Sequence, residues 1–454
     1  MTTPAMTTSA VPSGRWERLA RLGGLAGSLA GGMLAEGARQ FARGQRPRLG
    51  ELLLTPANVR RVADQLARMR GAAMKLGQLL SMDAGDLLPP ELAEIFARLR
   101  AEATAMPMSQ VVAVLGANWG EGWDRHFQRF SFTPVAAASI GQVHLAQTRD
   151  GRDLAIKIQY PGVRRSIDSD VGNVATLLRI SGLLPGSLNI EPLLREAKSQ
   201  LHAEADYLRE AEYLRRYGAL LADAGEFLLP EVHAELTTGS VLAMSRVDGV
   251  PVESLSDAPQ AERDRVARLL MALLLRELFE FRLIQTDPNF ANYRYDCATG
   301  RLILLDFGAT RPYPEVMVEA YRRLMTAAIA CDRPAISAAA MAIGYFQAGI
   351  LDHQREAVLK LFALACEPLR HAGAYDFGRS DLAARIRDAG MALSADRDLW
   401  HTPPADAIFL HRKIGGLYLL AARLKARVNV RELGQAVGLV PAVGPYRATG
   451  PLAA

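Results

Sequence analysis

Three short segments carry side chains with a shared chemistry: Ala155-Ile156-Lys157, Asp287-Pro288-Asn289-Phe290-Ala291-Asn292 and Asp306-Phe307-Gly308, in that order. A lysine at the end of an apolar strand can set its ammonium against the α and β phosphates of a nucleotide. In a D-x-x-x-x-N loop, the carboxylate of Asp287 can orient or deprotonate an acceptor hydroxyl or water. The amide oxygen of Asn292, five residues on, can ligate magnesium. Asp306, after the apolar run 302–305, supplies the bridging carboxylate ligand. Together the three segments describe phosphoryl transfer from Mg2+-bound ATP, with ADP as the spent nucleotide.

These groups need elements to position them. Period-2 patterning predicts strands at residues 130–132, 141–146 and 152–158, the last two joined by an Arg149-Asp150-Gly151 turn. A further strand is predicted at 240–247, which adds Met244 and Val247 to the nucleotide-binding candidates. Lys157 requires a carboxylate to hold it. A helix predicted over about 190–221 offers Glu204, Asp206, Glu210 and Glu212. Asp206 and Glu210 are four apart and share a face, whereas Glu204 lies well round the helix. Glu210 is therefore the expected partner of Lys157. A Leu-rich buried helix is predicted at 261–283 and a hairpin at 293–295 and 302–305. Everything after Pro314 reads as helical.

Two departures bear on the acceptor. Where a glycine-rich loop would close over phosphates, this chain has Ala136, Ala137, Ala138 and Ser139, and alanine restricts the backbone. Such a loop is expected to be stiffer and to place phosphates differently. After Gly308 the chain passes through 309–314 straight into a helix, with no A-P-E and no long activation segment. The usual platform for a peptide substrate is missing, which favours a small or folded acceptor, or water. Extra helical structure is expected from Pro161-Gly162-Val163 onward, before the glutamate-bearing helix.

Length and composition set the frame. The 454 residues are 50% hydrophobic and 22% charged, suited to a globular protein with a sizeable core. A net charge of +5 and a pI near 9.1 suit an anionic nucleotide or a membrane surface and give no separate case for nucleic acid. Only six of the 53 basic residues are lysines (75, 157, 198, 360, 413 and 425). In so arginine-rich a chain, a lysine suggests a need for a compact charge on a flexible stem. Cys297, Cys331 and Cys366 form no C-x-x-C, so neither a disulfide framework nor a zinc site is expected. The charge-free run 22–35, with Gly23, Gly27 and Gly31, is shorter than the ~20 residues of a bilayer span. It reads as a small-residue helix that lies at a membrane surface or packs on the protein. The expected location is cytoplasmic, with association at a membrane.

The expected organisation is a disordered 1–14, a small-residue helix or linker at 15–50, a helical extension at 51–125, a β-rich lobe at 126–248, a helical lobe at 249–435 and a flexible tail at 436–454. The fold class is α+β: a bilobal, protein-kinase-like fold with a small antiparallel β lobe and a large helical lobe.

On these motifs the chain resembles the UbiB family of atypical kinases, also called aarF-domain kinases, over roughly residues 50–430. The resemblance is carried by Lys75-Leu76-Gly77-Gln78 (K-x-G-Q) and by the alanine-rich loop through Ile140-Gly141-Gln142-Val143-His144. Glu204-Ala205-Asp206 with Tyr207 and Glu210 (E-x-D), and the 286–293 loop, complete it. The loop is similar to that of the coenzyme-Q-associated branch. The resemblance implies that the K-x-G-Q helices cover the site where a peptide would bind. Lys75 and Gln78 would then point into the active site, with Lys75 paired to Glu204 or Asp206. It also implies ATP-dependent support of ubiquinone biosynthesis, ATPase activity, and association with lipid, membrane or a complex of biosynthetic enzymes. A phenolic quinone precursor is the implied small-molecule partner. Two other readings stand beside it: a non-catalytic, nucleotide-gated scaffold, and a small-molecule phosphotransferase of the aminoglycoside or choline type.

Overall fold

The computed structural model describes Leu66, Ala72, Ala73, Lys75 and residues 105–180, 190–287, 289–346, 350–395 and 403–440. Gln78, the expected segments 1–14 and 15–50 (with the run 22–35) and residues 441–454 of the expected tail lie outside the described residues; 436–440 are described, with Leu439 and Val440 buried. Contacts divide the chain into two compact units. The first comprises residues up to Ala222, Leu229–Asp248 and Leu305–Ala309; the second comprises Asp223–Leu228, Gly249–Leu304 and the chain from Thr310.

The first unit is built on an antiparallel sheet. Its strands are β1 (Phe127–Phe130), β2 (Ala136–Ala137), β3 (Gly141–Thr148), β4 (Asp153–Gln159) and β5 (Val241–Ser245), in the order β1-β3-β4-β5 with β2 also on β3. Alternation on β4 divides the work of the sheet between its faces. Leu154, Ile156 and Ile158 are fully buried in a core with Val111 and Leu115 of helix α1 (Met108–Trp119) and with Trp123 and Phe127. Lys157 and Gln159 point the other way. The β3–β4 turn is at Arg149-Asp150-Gly151 as expected, with Gly151 at φ +88. The first strand lies three residues earlier than predicted. Ser131 lies just past the strand: its N–H still donates to the Leu145 carbonyl of β3 (2.8 Å), while its carbonyl meets His144 Nδ1 (2.8 Å).

Helices α2 (Val163–Ile180) and α3 (Glu191–Glu204) lie in the sequence between Lys157 and Glu210. The single helix predicted over 190–221 is broken. Helix α3 ends at Glu204, and α4 (Tyr207–Leu220) begins anew with Asp206 as its N-cap, accepting Arg209 N–H at 3.2 Å. Gln159 on β4 donates to the carbonyl of Ala205 (3.0 Å), pinning the break to the end of the central strand. Gly141 sits where a Cβ would stand 2.3 Å from the Ile158 carbonyl oxygen and 2.9 Å from the Tyr207 hydroxyl. The close approach of β3, β4 and α4 therefore requires glycine there.

The second unit is mostly helical: α5 (Gln260–Arg276), α6 (Glu315–Ile329), α7 (Arg333–Ile343), α8 (Asp352–Ala365), α9 (Leu382–Ala395), α10 (Ala405–Arg423) and α11 (Val430–Ala436). The predicted helix 261–283 stops early. Glu277–Phe281 is a π-helical turn, and Arg282 in the left-handed region (φ 52) redirects the chain into β6 (Leu283–Gln285). The predicted hairpin is present as β7 (Tyr293–Asp296) and β8 (Arg301–Leu304), while β9 (Thr310–Pro312) pairs antiparallel with β6. The region after Pro314 is not purely helical, because Tyr375–Asp376 pairs with Arg427–Val428. Among the described residues no helix is long and apolar enough to cross a membrane.

Gly141→Ala is expected to lower the chemical-denaturation midpoint by the equivalent of about 1–3 kcal/mol, since overpacking here meets backbone rather than a flexible side chain. An unchanged midpoint would contradict the close approach.

Candidate active site

In the first unit, the Lys157 ammonium lies 2.9 and 3.0 Å from the two carboxylate oxygens of Glu210 and 3.1 Å from Asp306 Oδ2. The Tyr207 ring centroid is 5.2 Å away. Lys157 and Glu210 are buried, at 7% and 1% exposure, while the Asp306 side chain is 32% exposed. Glu210 reaches the lysine because α4 starts at Asp206, which places position 210 in its first turn. Asp306 is held from behind: its Oδ1 accepts the Gly308 N–H (2.9 Å), and Arg209 donates to the Gly308 carbonyl (3.0 Å). Phe307 is buried against Tyr217, with ring centroids 4.7 Å apart.

The charges follow from this geometry. Burial alone would pull the Lys157 ammonium down, but the Asp306 and Glu210 carboxylates outweigh it and hold its pKa well above the ordinary value. Burial pushes Asp306 up and Lys157 pulls it down. The Gly308 N–H and Lys75 add to that pull, so its pKa ends below the usual carboxylate range. Burial pushes Glu210 up to about 7 against the pull of Lys157.

A second ion pair lies in the same unit. Lys75 is buried and bonds to Glu204, and Ser139 Oγ donates to the other oxygen of Glu204 at 2.5 Å. Of the two carboxylates expected for Lys75, Glu204 is the one bonded. Asp206 caps α4 and stands 3.9 Å from Arg164. Ala136 and Ala137 are exposed and pair with Val143 and Gln142 of β3; Ala138 N–H donates to the Gly141 carbonyl (2.8 Å). The alanine-rich loop is thus partly strand. Gln142 accepts the Met106 N–H (2.8 Å) and contacts His144 at 2.7 Å. Met244 is buried on β5 opposite Ala155, and Val247 lies beyond the strand, half-buried.

In the second unit, Asp287 accepts the Asn289 N–H (3.2 Å) and the Asn292 side-chain amide (3.1 Å), closing the D-x-x-x-x-N loop on itself. Sequence reasoning missed what holds this loop. Lys413 on α10, 4% exposed, bonds to the buried Glu277 carboxylate and donates to the Gln285 carbonyl at 2.7 Å, two residues before Asp287. Glu277 also accepts the Gln285 N–H (3.4 Å). The π-helical turn begins at Glu277, where an uninterrupted helix had been expected. Burial pulls Lys413 down, only partly offset by Glu277 and Asp287. One signal was available: Lys413 is among the six lysines of an arginine-rich chain.

A strand lysine gripped by a helix glutamate, with a D-F-G carboxylate on the same ammonium, defines a protein-kinase-like phosphoryl-transfer protein. The ABC1 atypical kinase-like domain matches residues 98–340, and the chain belongs to that family. It is 36% identical over 431 residues to the mitochondrial atypical kinase COQ8 of Saccharomyces cerevisiae, spanning 94% of this chain and 85% of that one. It is 39% identical over 436 residues to the mitochondrial atypical kinase COQ8B of Rattus norvegicus, spanning 94% and 80%. Among solved structures it is similar to Rv3197 of Mycobacterium tuberculosis, determined in complex with erythromycin. That match has a TM-score of 0.57 at 25% identity, over 82% of this chain and 93% of the other. The chain is an atypical-kinase-like enzyme with the expected α+β kinase-like fold.

Two outcomes test the charge networks. The folded pKa of Glu210 lies above its ordinary 4.5, so the fold binds that proton more tightly than the unfolded chain does. The resulting stabilisation is full below pH 4.5 and is lost as pH rises through about 7. Glu210→Gln is therefore expected to flatten the curve of stability against pH over that window. Equal slopes for both proteins in urea titrations would count against it. Lys413→Met is expected to cost about 3–5 kcal/mol by stranding the buried Glu277, and Lys413→Met with Glu277→Leu to recover much of that loss.

Proposed function

We propose that this protein is a Mg2+-ATP-dependent atypical kinase or ATPase that supports ubiquinone biosynthesis at a membrane surface. The observation that carries the reading is the Lys157 ammonium shared between Glu210 and Asp306 at 2.9–3.1 Å. A lysine so held presents its charge to the α and β phosphates without having to find its rotamer on binding. Asp306 and Asn292 would hold magnesium. Their donor chemistry fits a hard cation: Asp306 is a half-exposed carboxylate kept anionic by Lys157, and Asn292 carries an amide oxygen. When bound, the ion neutralises charge on the phosphates. Asp287, fixed by its own loop, orients or deprotonates the acceptor.

The acceptor is a small molecule or water. Only β9 and two residues separate Ala309 from α6, which leaves no room for a peptide-docking segment. The ubiquinone pathway, a phenolic precursor and a partner complex rest on the family resemblance and on likeness to proteins named as mitochondrial COQ8 kinases. Membrane association rests on the family resemblance and on the net charge of +5.

Asp306→Asn is expected to cut ATP hydrolysis by at least about 10²-fold while the protein stays folded by circular dichroism. Undiminished turnover would sink the catalytic assignment.

A second reading, a nucleotide-gated scaffold, is favoured by the bond from Ser139 to Glu204, which ties down the loop that would close over phosphates. In a deletion strain, Asp287→Asn is expected to leave quinone levels unrestored. Full restoration by Asp287→Asn, with failure of Lys157→Ala, would select the scaffold.

A further inference from the structure

Helices α5, α6, α8 and α10 of the second unit leave a pocket of about 110 Å³ between them. Protein interiors pack like organic crystals, and a void larger than water forfeits the dispersion contacts its walls would otherwise make. This one is walled by Met271, Leu274, Leu324, Met325, Phe362 and Ile414, among others. Among the described residues, no Asp, Glu, Lys or Arg lines it.

The polar atoms at its edge are already engaged. The Tyr418 hydroxyl donates to the Ala365 carbonyl at 2.8 Å, and the Tyr345 hydroxyl meets both the His411 ring (2.9 Å) and the Tyr321 hydroxyl (3.4 Å). Burial holds His411 down at about 4 and pushes the Cys366 thiol up to about 12, so both are uncharged at neutral pH. A buried water needs two to four polar partners, and walls of this kind stay dry. A phosphate, a nucleotide or a metal ion would lose its hydration with nothing to replace it. Leu361, Ile386 and Gly415 are only half-buried, which leaves the pocket an approach from solvent.

We infer that this pocket is a binding site for an uncharged hydrocarbon group, one aromatic ring or a prenyl unit in size. It is separate from the phosphate-handling residues, and its lining comes entirely from the helical unit. The inference does not rest on ATP turnover and survives or fails independently of it.

The test is NMR of the full chain labelled at the methionine methyls, because Met271 and Met325 line the pocket while Met108, at 57% exposure, reports on non-specific contact. Signals are assigned with Met271→Leu and Met325→Leu. Toluene and 3-methylbut-2-en-1-ol serve as the ring and prenyl probes, and benzoate as the charged control. Saturable shifts at Met271 and Met325, but not Met108, are expected with at least one neutral probe, and the tighter of the two identifies the preferred group. Benzoate is expected to bind at least about tenfold more weakly, since it would bury an unpaired charge. Ala365→Phe, which fills the space, and Leu361→Trp, which blocks the mouth, are each expected to abolish the response, so either suffices if the other fails to fold. The inference is overturned by an absence of saturable shifts, by equal shifts at Met108, by equal affinity for benzoate, or by a wild-type response in the folded variants.

Discussion

The first unit depends on one buried ammonium. Lys157 leaves water on the inner face of a central strand, and two carboxylates must come to it: Glu210 from a helix and Asp306 from the turn after β8. Buried ion pairs add little net stability, because desolvation consumes most of the attraction, but breaking one is costly. The cluster therefore specifies an arrangement more than it strengthens the fold. The absent side chain at Gly141, the Gln159 bond to Ala205 and the Arg209 hold on Gly308 all act to keep strand, helix and turn in register around that charge.

Two of the buried lysines, Lys157 and Lys413, show how the number of facing anions decides the outcome. Lys157 faces two carboxylates and its pKa is held high; Lys413 bonds to one carboxylate and a carbonyl, and burial drags it low. The first is a lasting positive charge suited to phosphate. The second divides its hydrogen bonds between Glu277 and a backbone position two residues before Asp287, which suits it to placing that loop. Residue type is the same in both; the counterions assign the role.

The local signals were legible in the chain. The D-G turn, the β7–β8 hairpin and the partnership of Lys157 with Glu210 follow from period-2 alternation, turn chemistry and helical spacing, which are properties of neighbours in sequence. What escaped depends on tertiary contact. A continuous helix through Glu204 and Glu210 is locally sensible. The break at Ala205 arises because Gln159, far away in the chain, takes its carbonyl and because Asp206 can cap a new start. Likewise Leu275-Arg276-Glu277-Leu278 reads as helix, and the inward turn of Glu277 at the π-helical step is matched by partners distant or hidden in sequence, Lys413 and the Gln285 N–H.

The bond from Ser139 to Glu204 has a consequence for anything anionic that reaches the alanine-rich loop. The donors there, a hydroxyl and the Lys75 ammonium, already serve a carboxylate of the protein's own. An arriving anion would compete with Glu204 for these two donors. The loop thus already holds an anionic occupant of its own, and a visitor's charge would be weighed against a carboxylate seated there.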